Sequence, residues 1–206
     1  MPPIEIEKYL EVLQPDRCPL CFLTHQYGHE HLRSLLEESV TDPASRKQLF
    51  ESGGFCRHHA WKAVQSGKIL GMAILYASLL EKGLKDLGGK GAPRSKPCPI
   101  CESEKKYEQN HARQFAEAWA QSEQLRESFH HHGVLCLTHL GKALGEMKNG
   151  AQRKTLYESA KKALEPLLKD LNEFLEKQDY HRSHESFGKE RDAWVRVVRM
   201  VSGERD

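Results

Sequence analysis

The stretch CPLC at residues 18–21 is followed by CRHH at residues 56–59, and 80 positions further along the chain CPIC at residues 98–101 is followed by CLTH at residues 136–139. In both copies 34 residues separate the first motif from the second, so each copy reads Cys-Pro-x-Cys, 34 residues, Cys-x-x-His. The two copies use every cysteine of the chain, which has six: Cys18, Cys21, Cys56, Cys98, Cys101 and Cys136.

Other residues recur at the same shift of 80 positions, which predicts an internal duplication. Tyr27 recurs as Tyr107, and Gly53 recurs as Gly133. Chance spacing of cysteines would not preserve these residues as well. We call the two copies the first and the second repeat. The charged residues that recur include Arg33 with Glu37 in the first repeat and Arg113 with Glu117 in the second.

The residues between and after the motifs favour helices, and no stretch predicts a strand. We therefore predict an all-α fold made of two pseudo-equivalent helical units, each with one Cys3His metal site, and a C-terminal helix. The predicted boundaries are 1–87 for the first unit, 88–97 for a Gly-rich linker, 98–178 for the second unit and 179–206 for a C-terminal extension that packs on both.

Apolar periodicity predicts four further helices, over about residues 4–13, 69–87, 153–177 and 188–201. Pro166 is expected to kink the third of them or to mark a restart. The predicted apolar stripes are Leu70, Ile74, Ala77, Leu80, Leu84 and Leu87 in the second helix, and Leu156, Ala160, Leu164, Leu167, Leu171 and Leu175 in the third. In the last helix Trp194, Val198 and Val201 are predicted to face inward.

Three thiolates and one imidazole form one of the standard ligand sets for tetrahedral zinc. Cys-x-x-Cys lets one tight turn present two sulfurs to one ion, and Cys-x-x-His does the same from the first turn of a helix. Each repeat is predicted to hold its own ion, so the chain is predicted to bind two Zn²⁺. The predicted ligands are Cys18, Cys21, Cys56 and His59 in one site and Cys98, Cys101, Cys136 and His139 in the other.

Iron is the main alternative to zinc at these sites. Iron–sulfur clusters usually take four cysteines, although histidine replaces cysteine in some of them. Free buried cysteines and disulfides fit the two superimposable sets less well. His31 and His111 also recur. They are interpreted as hydrogen-bond donors to the metal ligands, as spare ligands for iron, or as surface or packing histidines. His58 is a poorer ligand candidate than His59, because Thr138 stands at the equivalent position of the second repeat.

The net charge and the hydropathy of the chain bear on two classes of function, nucleic-acid binding and membrane insertion. The net charge of +2 does not support binding to a nucleic-acid backbone, although a local basic face remains possible. The most apolar stretch, residues 69–80, is shorter than the ~20 residues of a membrane span, and no secretory signal is evident, which predicts a cytoplasmic protein without a membrane partner.

No nucleophile–base arrangement is evident, and no catalytic residue is predicted. A catalytic zinc ion keeps one coordination position open, whereas four protein ligands are offered at each predicted site. We predict a metal-binding module or adaptor that recognises a protein partner. The alternative is a redox or sensor protein that binds iron or an iron–sulfur cluster.

The C-terminal segment contains DYHR at residues 179–182, Glu185, Gly188, Glu190 and DAW at residues 192–194. Together with the paired Cys/His motifs, this pattern resembles an uncharacterised prokaryotic family of unknown function. The resemblance covers nearly the whole chain. It implies a soluble protein with two Cys/His sites and offers no activity.

Two interpretations of this C-terminal segment are open. It is either a solvated helix start with a Trp anchor, or a cover over a groove between the two predicted units. In the second case its charged residues are expected to pair with the recurring residues Arg33, Glu37, Arg113 or Glu117.

Overall fold

The computed structural model describes residues 6–38, 41–87, 96–182 and 184–204. Over these residues the chain forms ten α-helices and one short 3-10 helix, and no strand. The predicted all-α fold is therefore confirmed. The α-helices are α1 (Ile6–Val12), α2 (Pro19–Glu37), α3 (Pro43–Glu51), α4 (Arg57–Gln65), α5 (Ile69–Asp86), α6 (Pro99–Gln121), α7 (Glu123–His132), α8 (Leu137–Glu146), α9 (Gly150–Glu176) and α10 (Ala193–Ser202), and the 3-10 helix covers Lys189–Asp192.

The duplication is visible in the order of the helices. A long helix follows each Cys-Pro-x-Cys motif, a short helix comes next, and a third helix begins at each Cys-x-x-His motif before a long fourth one. Helices α2 to α5 thus correspond to α6 to α9, which confirms two pseudo-equivalent sets of helices.

The local sequence explains where several helices begin. Asp42 caps α3 by accepting a hydrogen bond from the Ser45 amide, and Ser122 caps α7 by accepting one from the Leu125 amide.

Contacts between residues divide the chain into two compact units that do not coincide with the repeats. One is discontinuous, with residues 1–23 and 108–206, and the other is continuous, with residues 24–107. The divisions fall inside α2 and α6 and not in the predicted linker, whose residues 88–95 lie outside the described residues. Each compact unit contains parts of both repeats. The predicted boundaries describe the duplication and stay a prediction.

The discontinuous unit has an aromatic core. Tyr9 of α1 packs edge-on against Phe115 of α6 at a ring-centre distance of 5.4 Å. Trp119 packs edge-on against Phe129 of α7, also at 5.4 Å. Because all four rings are almost completely buried, α1, α6 and α7 are held together by large apolar surfaces. The short α1 therefore contributes to this core although only part of its predicted span, residues 4–13, is described.

The continuous unit has an aliphatic core, and a glycine brings two of its helices close together. Gly71 of α5 is buried, and a Cβ atom there would lie 2.1 Å from the carbonyl oxygen of Leu36 in α2. Real Cβ atoms do not approach a backbone oxygen this closely, so α5 can pack in this position only with glycine at 71. The core residues are Leu32, Leu35, Leu36, Leu49, Phe55, Ala63, Leu75, Cys98 and Ile100.

The predicted inward face of α5 is wrong for most of its residues. Leu70 is 74% exposed, Leu80 64%, Leu84 60% and Leu87 77%. Helix α5 instead turns Gly71 and Leu75 to the core, with Met72, Ile74 and Leu79 packed beside them. Apolar residues occur on more than one side of this helix, so periodicity alone could not identify the side that the close approach at Gly71 selects.

The predictions for α9 and α10 have mixed outcomes. Leu156 and Ala160 are buried as predicted, Leu164, Leu167 and Leu171 are half-buried, and Leu175 is exposed. Helix α9 runs through Pro166 without a break, so the predicted restart is wrong. In α10 the predicted face is wrong, because Ala193 and Met200 are buried whereas Trp194, Val198 and Val201 are each more than half exposed.

The charged residues of the C-terminal segment bind the end of α9. Arg182 binds Glu173 and Glu176 of α9, at 2.7 and 2.5 Å, and also Glu185 at 2.8 Å. Lys177 donates a hydrogen bond of 2.6 Å to Glu190, which is buried. The expected pairing with the recurring residues is wrong for Arg33 and Glu37, which form an ion pair with each other at 3.0 Å.

We expect Gly71→Ala to lower the free energy of unfolding by about 1–3 kcal/mol, because the added methyl group forces α5 away from α2. Gly83→Ala is the matched control in the same helix, since a Cβ at 83 meets no atom within 4 Å. It should raise stability by up to about 1 kcal/mol, since alanine favours a helix over glycine. Urea unfolding followed by circular dichroism measures both changes, and equal effects would contradict the close approach at Gly71.

Candidate metal centres

The eight predicted ligands converge in two groups, and each group takes two members from each repeat. In each group the possible ligand atoms all lie within 4.8 Å of one another, so each group could hold a metal ion. We call them the 18–139 centre and the 56–101 centre. The first consists of Cys18, Cys21, Cys136 and His139, and the second consists of Cys56, His59, Cys98 and Cys101.

The predicted pairing of ligands within one repeat is therefore wrong. The Cys-Pro-x-Cys motif of each repeat lies beside the Cys-x-x-His motif of the other. Helix lengths explain this outcome. Helix α2 has 19 residues and carries the chain about 24 Å from Cys21 to Glu37, whereas α3 has 9 residues and covers only about 14 Å. Helices α6 and α7, with 23 and 10 residues, show the same imbalance in the second repeat.

In the 18–139 centre the histidine nitrogen Nδ1 faces all three sulfurs. It lies 3.2 Å from Sγ of Cys136, 3.3 Å from that of Cys21 and 3.4 Å from that of Cys18. The sulfurs of Cys21 and Cys136 are 3.8 Å apart. All four side chains are buried, so water has little access to this group.

The 56–101 centre has the same arrangement and more exposure. Nδ1 of His59 lies 3.3 Å from Sγ of both Cys56 and Cys101 and 3.7 Å from that of Cys98. The sulfurs of Cys56 and Cys101 are 3.7 Å apart. His59 and Cys98 are buried, Cys56 is half-buried and Cys101 is exposed. This centre is therefore open to solvent on the side of Cys101.

Every ligand pair lies at the start of a helix. Cys56 and Cys136 are the N-cap residues of α4 and α8, and both have extended backbone conformations. The prolines after Cys18 and Cys98 are the first residues of α2 and α6, a position where proline is favoured. Each centre thus receives the N-termini of two helices, whose partial positive charge stabilises thiolates.

A glutamate of α6 lies behind each histidine. Glu108 Oε1 is 2.8 Å from Nε2 of His139, and Glu104 Oε2 is 3.2 Å from Nε2 of His59. A carboxylate in this position fixes the imidazole ring so that the other nitrogen faces the metal. The interaction with His139, together with the nearby Lys142 ammonium, outweighs burial and lowers the pKa of Glu108 to about 2.

The electrostatics of the 18–139 centre favour the charged forms of His139 and Cys136, whereas burial raises the pKa of the Cys18 thiol. Burial opposes a charged imidazole, but the hydrogen bonds with Cys136, Cys21 and Glu108 outweigh it and raise the pKa of His139 to about 11. Bonds with the neighbouring thiols and with His139 hold the pKa of Cys136 far below its usual range. A metal ion bound here would compete with a proton for the imidazole, so its binding would release protons.

Sequence reasoning missed these two glutamates, because neither recurs in the first repeat. The position equivalent to Glu108 is Gly28, and the position equivalent to Glu104 is Thr24. The feature of the sequence that is related to Glu104 is Gly28, where a Cβ atom would lie only 2.0 Å from Oε1 of Glu104. Glycine at position 28 therefore leaves room for the carboxylate behind His59.

The other histidines considered as ligands, namely His31, His111 and His58, belong to neither centre. His31 stacks on Tyr27 with nearly parallel rings, and Nδ1 of His111 lies 3.0 Å from the hydroxyl of Tyr9. Burial lowers the pKa of His111 to about 4, which keeps this packing histidine neutral at pH 7. His58 is exposed beside the buried His59.

The end of the described chain lies against the 18–139 centre. The amide of Glu204 donates a hydrogen bond of 3.5 Å to Sγ of Cys21, and the carboxylate of Glu204 pairs with Arg17 at 3.3 Å. Gly203 makes this approach with a φ of 87°, which favours glycine. The C-terminal residues thus contact a sulfur of this centre, a contact that the spacing of the motifs did not indicate.

A family model described as "Family of unknown function (DUF6062)" matches the chain twice, over residues 4–93 and residues 82–206. Because these matches cover nearly the whole chain, the chain belongs to this family. The resemblance to an uncharacterised family of unknown function is confirmed. No curated protein and no solved structure matches the chain.

The crossed pairing predicts which cysteines lose protection when one ligand is removed. In metal-loaded Cys136→Ser, alkylation should rise at Cys18 and Cys21 and stay at the wild-type level at Cys98 and Cys101, because the latter belong to the other centre. Mass spectrometry of tryptic peptides gives the label at each position, and Thr138→Ser is the control in the same helix. Increased labelling of Cys98 and Cys101 instead would restore the pairing within repeats.

Proposed function

We propose that each centre holds one Zn²⁺ as a structural ion, and that the helical scaffold which the two ions stabilise acts as a protein-binding module or adaptor. The proposal has two parts. The first concerns the ion and rests on the geometry of the eight ligands. The second concerns the partner and rests on the apolar surface of the scaffold.

The distances between ligand atoms carry the first part. Zinc–sulfur bonds of about 2.3 Å in a tetrahedron place two sulfurs about 3.8 Å apart. The sulfur–sulfur distances are 3.8 Å for Cys21 and Cys136 and 3.7 Å for Cys56 and Cys101. The helix N-termini and the glutamates behind His59 and His139 supply the second shell that such sites usually have.

The same distances disfavour the iron–sulfur alternative. A cluster places several irons and bridging sulfides between its protein ligands, whereas the ligand atoms of each centre lie within 4.8 Å of one another. This space fits one ion. Mononuclear iron is the form of the iron alternative that remains, and elemental analysis distinguishes it from zinc.

A structural role follows from the completeness of the ligand sets. Four protein ligands leave no coordination position for water or substrate. Structural zinc contributes on the order of 10–16 kcal/mol of apparent folding free energy, against a net stability of roughly 5–15 kcal/mol for a typical domain. Removal of the ions should therefore unfold the scaffold.

An apolar groove on the discontinuous unit supports the second part. It has a volume of about 440 Å³ and lies among α8, α9 and α10, with Lys161 and Glu165 at its polar edge. Leu168 is 57% exposed and Val201 is 52% exposed. Such a surface suits an apolar segment of another protein. The apolar lining residues are Leu137, Leu140, Tyr157, Leu164, Leu167, Leu168, Val197, Met200 and Val201.

The remaining properties agree with a protein partner in a reducing compartment. The net charge of +2 gives no support for a nucleic-acid backbone as partner. Within the described residues, no helix combines the length and the hydropathy needed to cross a bilayer. All six cysteines are free, and thiolate ligands persist where thiols stay reduced, which supports our proposal of a cytoplasmic protein.

The purified wild-type protein should be colourless and contain two zinc ions per chain. Cys56→Ser should lose about one of them together with part of its helical signal, because the 56–101 centre loses a ligand whose binding is coupled to folding. Elemental analysis and circular dichroism measure both quantities. His58→Ala is the matched control in the same helix, since its side chain is exposed.

Two results would contradict the structural-zinc proposal. Stoichiometric iron with visible absorbance, after anaerobic purification, would establish the iron-binding alternative. Unchanged helicity and melting temperature after complete metal removal would make the ions accessory and not structural.

The groove should select peptides with apolar residues at helical spacing from a displayed library. Leu168→Glu should weaken the binding of the selected peptides tenfold or more, because it places a charge in the groove. A tenfold loss of affinity corresponds to about 1.4 kcal/mol. Lys169→Glu changes the neighbouring exposed residue and should leave affinity within a factor of about two. Equal affinities for both variants, or no selected peptide, would contradict this docking surface.

A further inference from the structure

Helix α5 carries a second apolar surface, separate from the groove, which we call the α5 seam. Its residues follow one another at intervals of three, four, three, four and three positions. This is the spacing of the a and d positions of a coiled coil, in which an average of 3.5 residues keeps one face against a partner helix. The seam consists of Leu70, Ala73, Ala77, Leu80, Leu84 and Leu87.

All six seam residues are exposed, and the four leucines are each at least 60% exposed. The opposite side of α5 is already used, since Gly71 and Leu75 are buried in the core of the continuous unit. The helix therefore has one face for its own core and a second apolar face without charged residues at the six positions. Exposed apolar surface of this kind marks interaction sites.

The flank of the seam enlarges this surface. Ile69, at the first position of α5, is 80% exposed, and Trp61 and Val64 of the neighbouring α4 are 65% and 54% exposed. Exposed tryptophan is enriched at the centres of protein interfaces. Exposed apolar side chains thus occur on both helices of the continuous unit.

We propose that the α5 seam is the interface of a homodimer, in which α5 of one copy packs antiparallel against α5 of a second copy about a two-fold axis. A two-fold interface must be complementary to itself, so residue i meets residue j on both sides of the axis. The order of large and small residues along the seam meets this condition.

An axis placed midway between Ala77 and Leu80 pairs every seam residue. Ala77 meets Leu80 of the second copy, Ala73 meets Leu84, and Leu70 meets Leu87 at each end. Every a position meets a d position, and each alanine faces a leucine, so large and small side chains alternate as close packing requires.

A parallel arrangement fits the same residues less well. It would place Ala73 opposite Ala73 and Ala77 opposite Ala77, which leaves a gap in the first half of the seam. The leucines would crowd at Leu80, Leu84 and Leu87 in the second half. Cavities and crowding both lower stability, so the antiparallel register is the one that the sequence of the seam favours.

Sedimentation equilibrium of the zinc-loaded protein tests the dimer. The wild type should sediment at twice the chain mass of 23.6 kDa, and Leu80→Glu should sediment as a monomer with unchanged circular dichroism. Leu168→Glu is the matched control, because it places the same charge at an exposed leucine of the groove, and it should remain dimeric. A monomeric wild type, a dimeric Leu80→Glu or a monomeric Leu168→Glu would overturn the proposal.

A pair of charged substitutions tests whether the two copies of α5 run antiparallel. Ala73→Lys and Leu84→Glu should each weaken the dimer by tenfold or more, and the double variant should recover most of that loss, because the antiparallel register places each lysine opposite a glutamate. In a parallel dimer the double variant would place like charges opposite each other and weaken association further. The two positions are eleven residues apart in one helix, so they cannot pair within a chain. Failure of the double variant to recover would overturn the antiparallel register.

Discussion

The structure depends on a crossed set of ligands. Each centre joins the turn of one Cys-Pro-x-Cys motif to the helix start of the other repeat's Cys-x-x-His motif, so four helix N-termini meet in two pairs. The positive ends of α2 and α8 face one set of three thiolates, and those of α4 and α6 face the other. Without this attraction and the proposed ions, the thiolates would repel one another, and the helix starts that carry them would separate. Each centre also lies wholly within one of the two compact units.

Helix α6 explains why the two repeats are only pseudo-equivalent. It supplies a carboxylate to the histidine of each centre, through Glu104 and Glu108, which are four residues apart. The corresponding helix α2 supplies neither and has Gly28 where a carboxylate would otherwise stand. One helix thus orients both imidazoles. Glycine at position 28 of the other leaves the space that the carboxylate of Glu104 occupies.

The sequence predicted the features that short-range chemistry determines. Helix starts at Cys-x-x-His and the identity of the eight candidate residues follow from local patterns. The ligand partners could not be predicted, because two Cys-Pro-x-Cys motifs and two Cys-x-x-His motifs can be joined in more than one way and the choice depends on the unequal lengths of α2 and α3. The face of α5 could not be predicted either. Its apolar residues are distributed around the helix, and the choice of core face depends on one glycine, Gly71, whose role appears only when Leu36 is placed beside it.

The crossed arrangement has a consequence for a chain that is made from its N-terminus. By the time that the first repeat has left the ribosome, it already presents Cys18, Cys21, Cys56 and His59, a complete set of three thiols and one imidazole. An ion captured at that stage would be held by a combination of ligands that the finished protein does not use. The 56–101 centre can form once residue 101 has been made, whereas the 18–139 centre must wait for residue 139, and the first is nested within the second along the chain. Correct assembly of the two proposed zinc centres would therefore depend on how readily a thiolate-bound ion exchanges its ligands during synthesis, and not only on how tightly it is finally held.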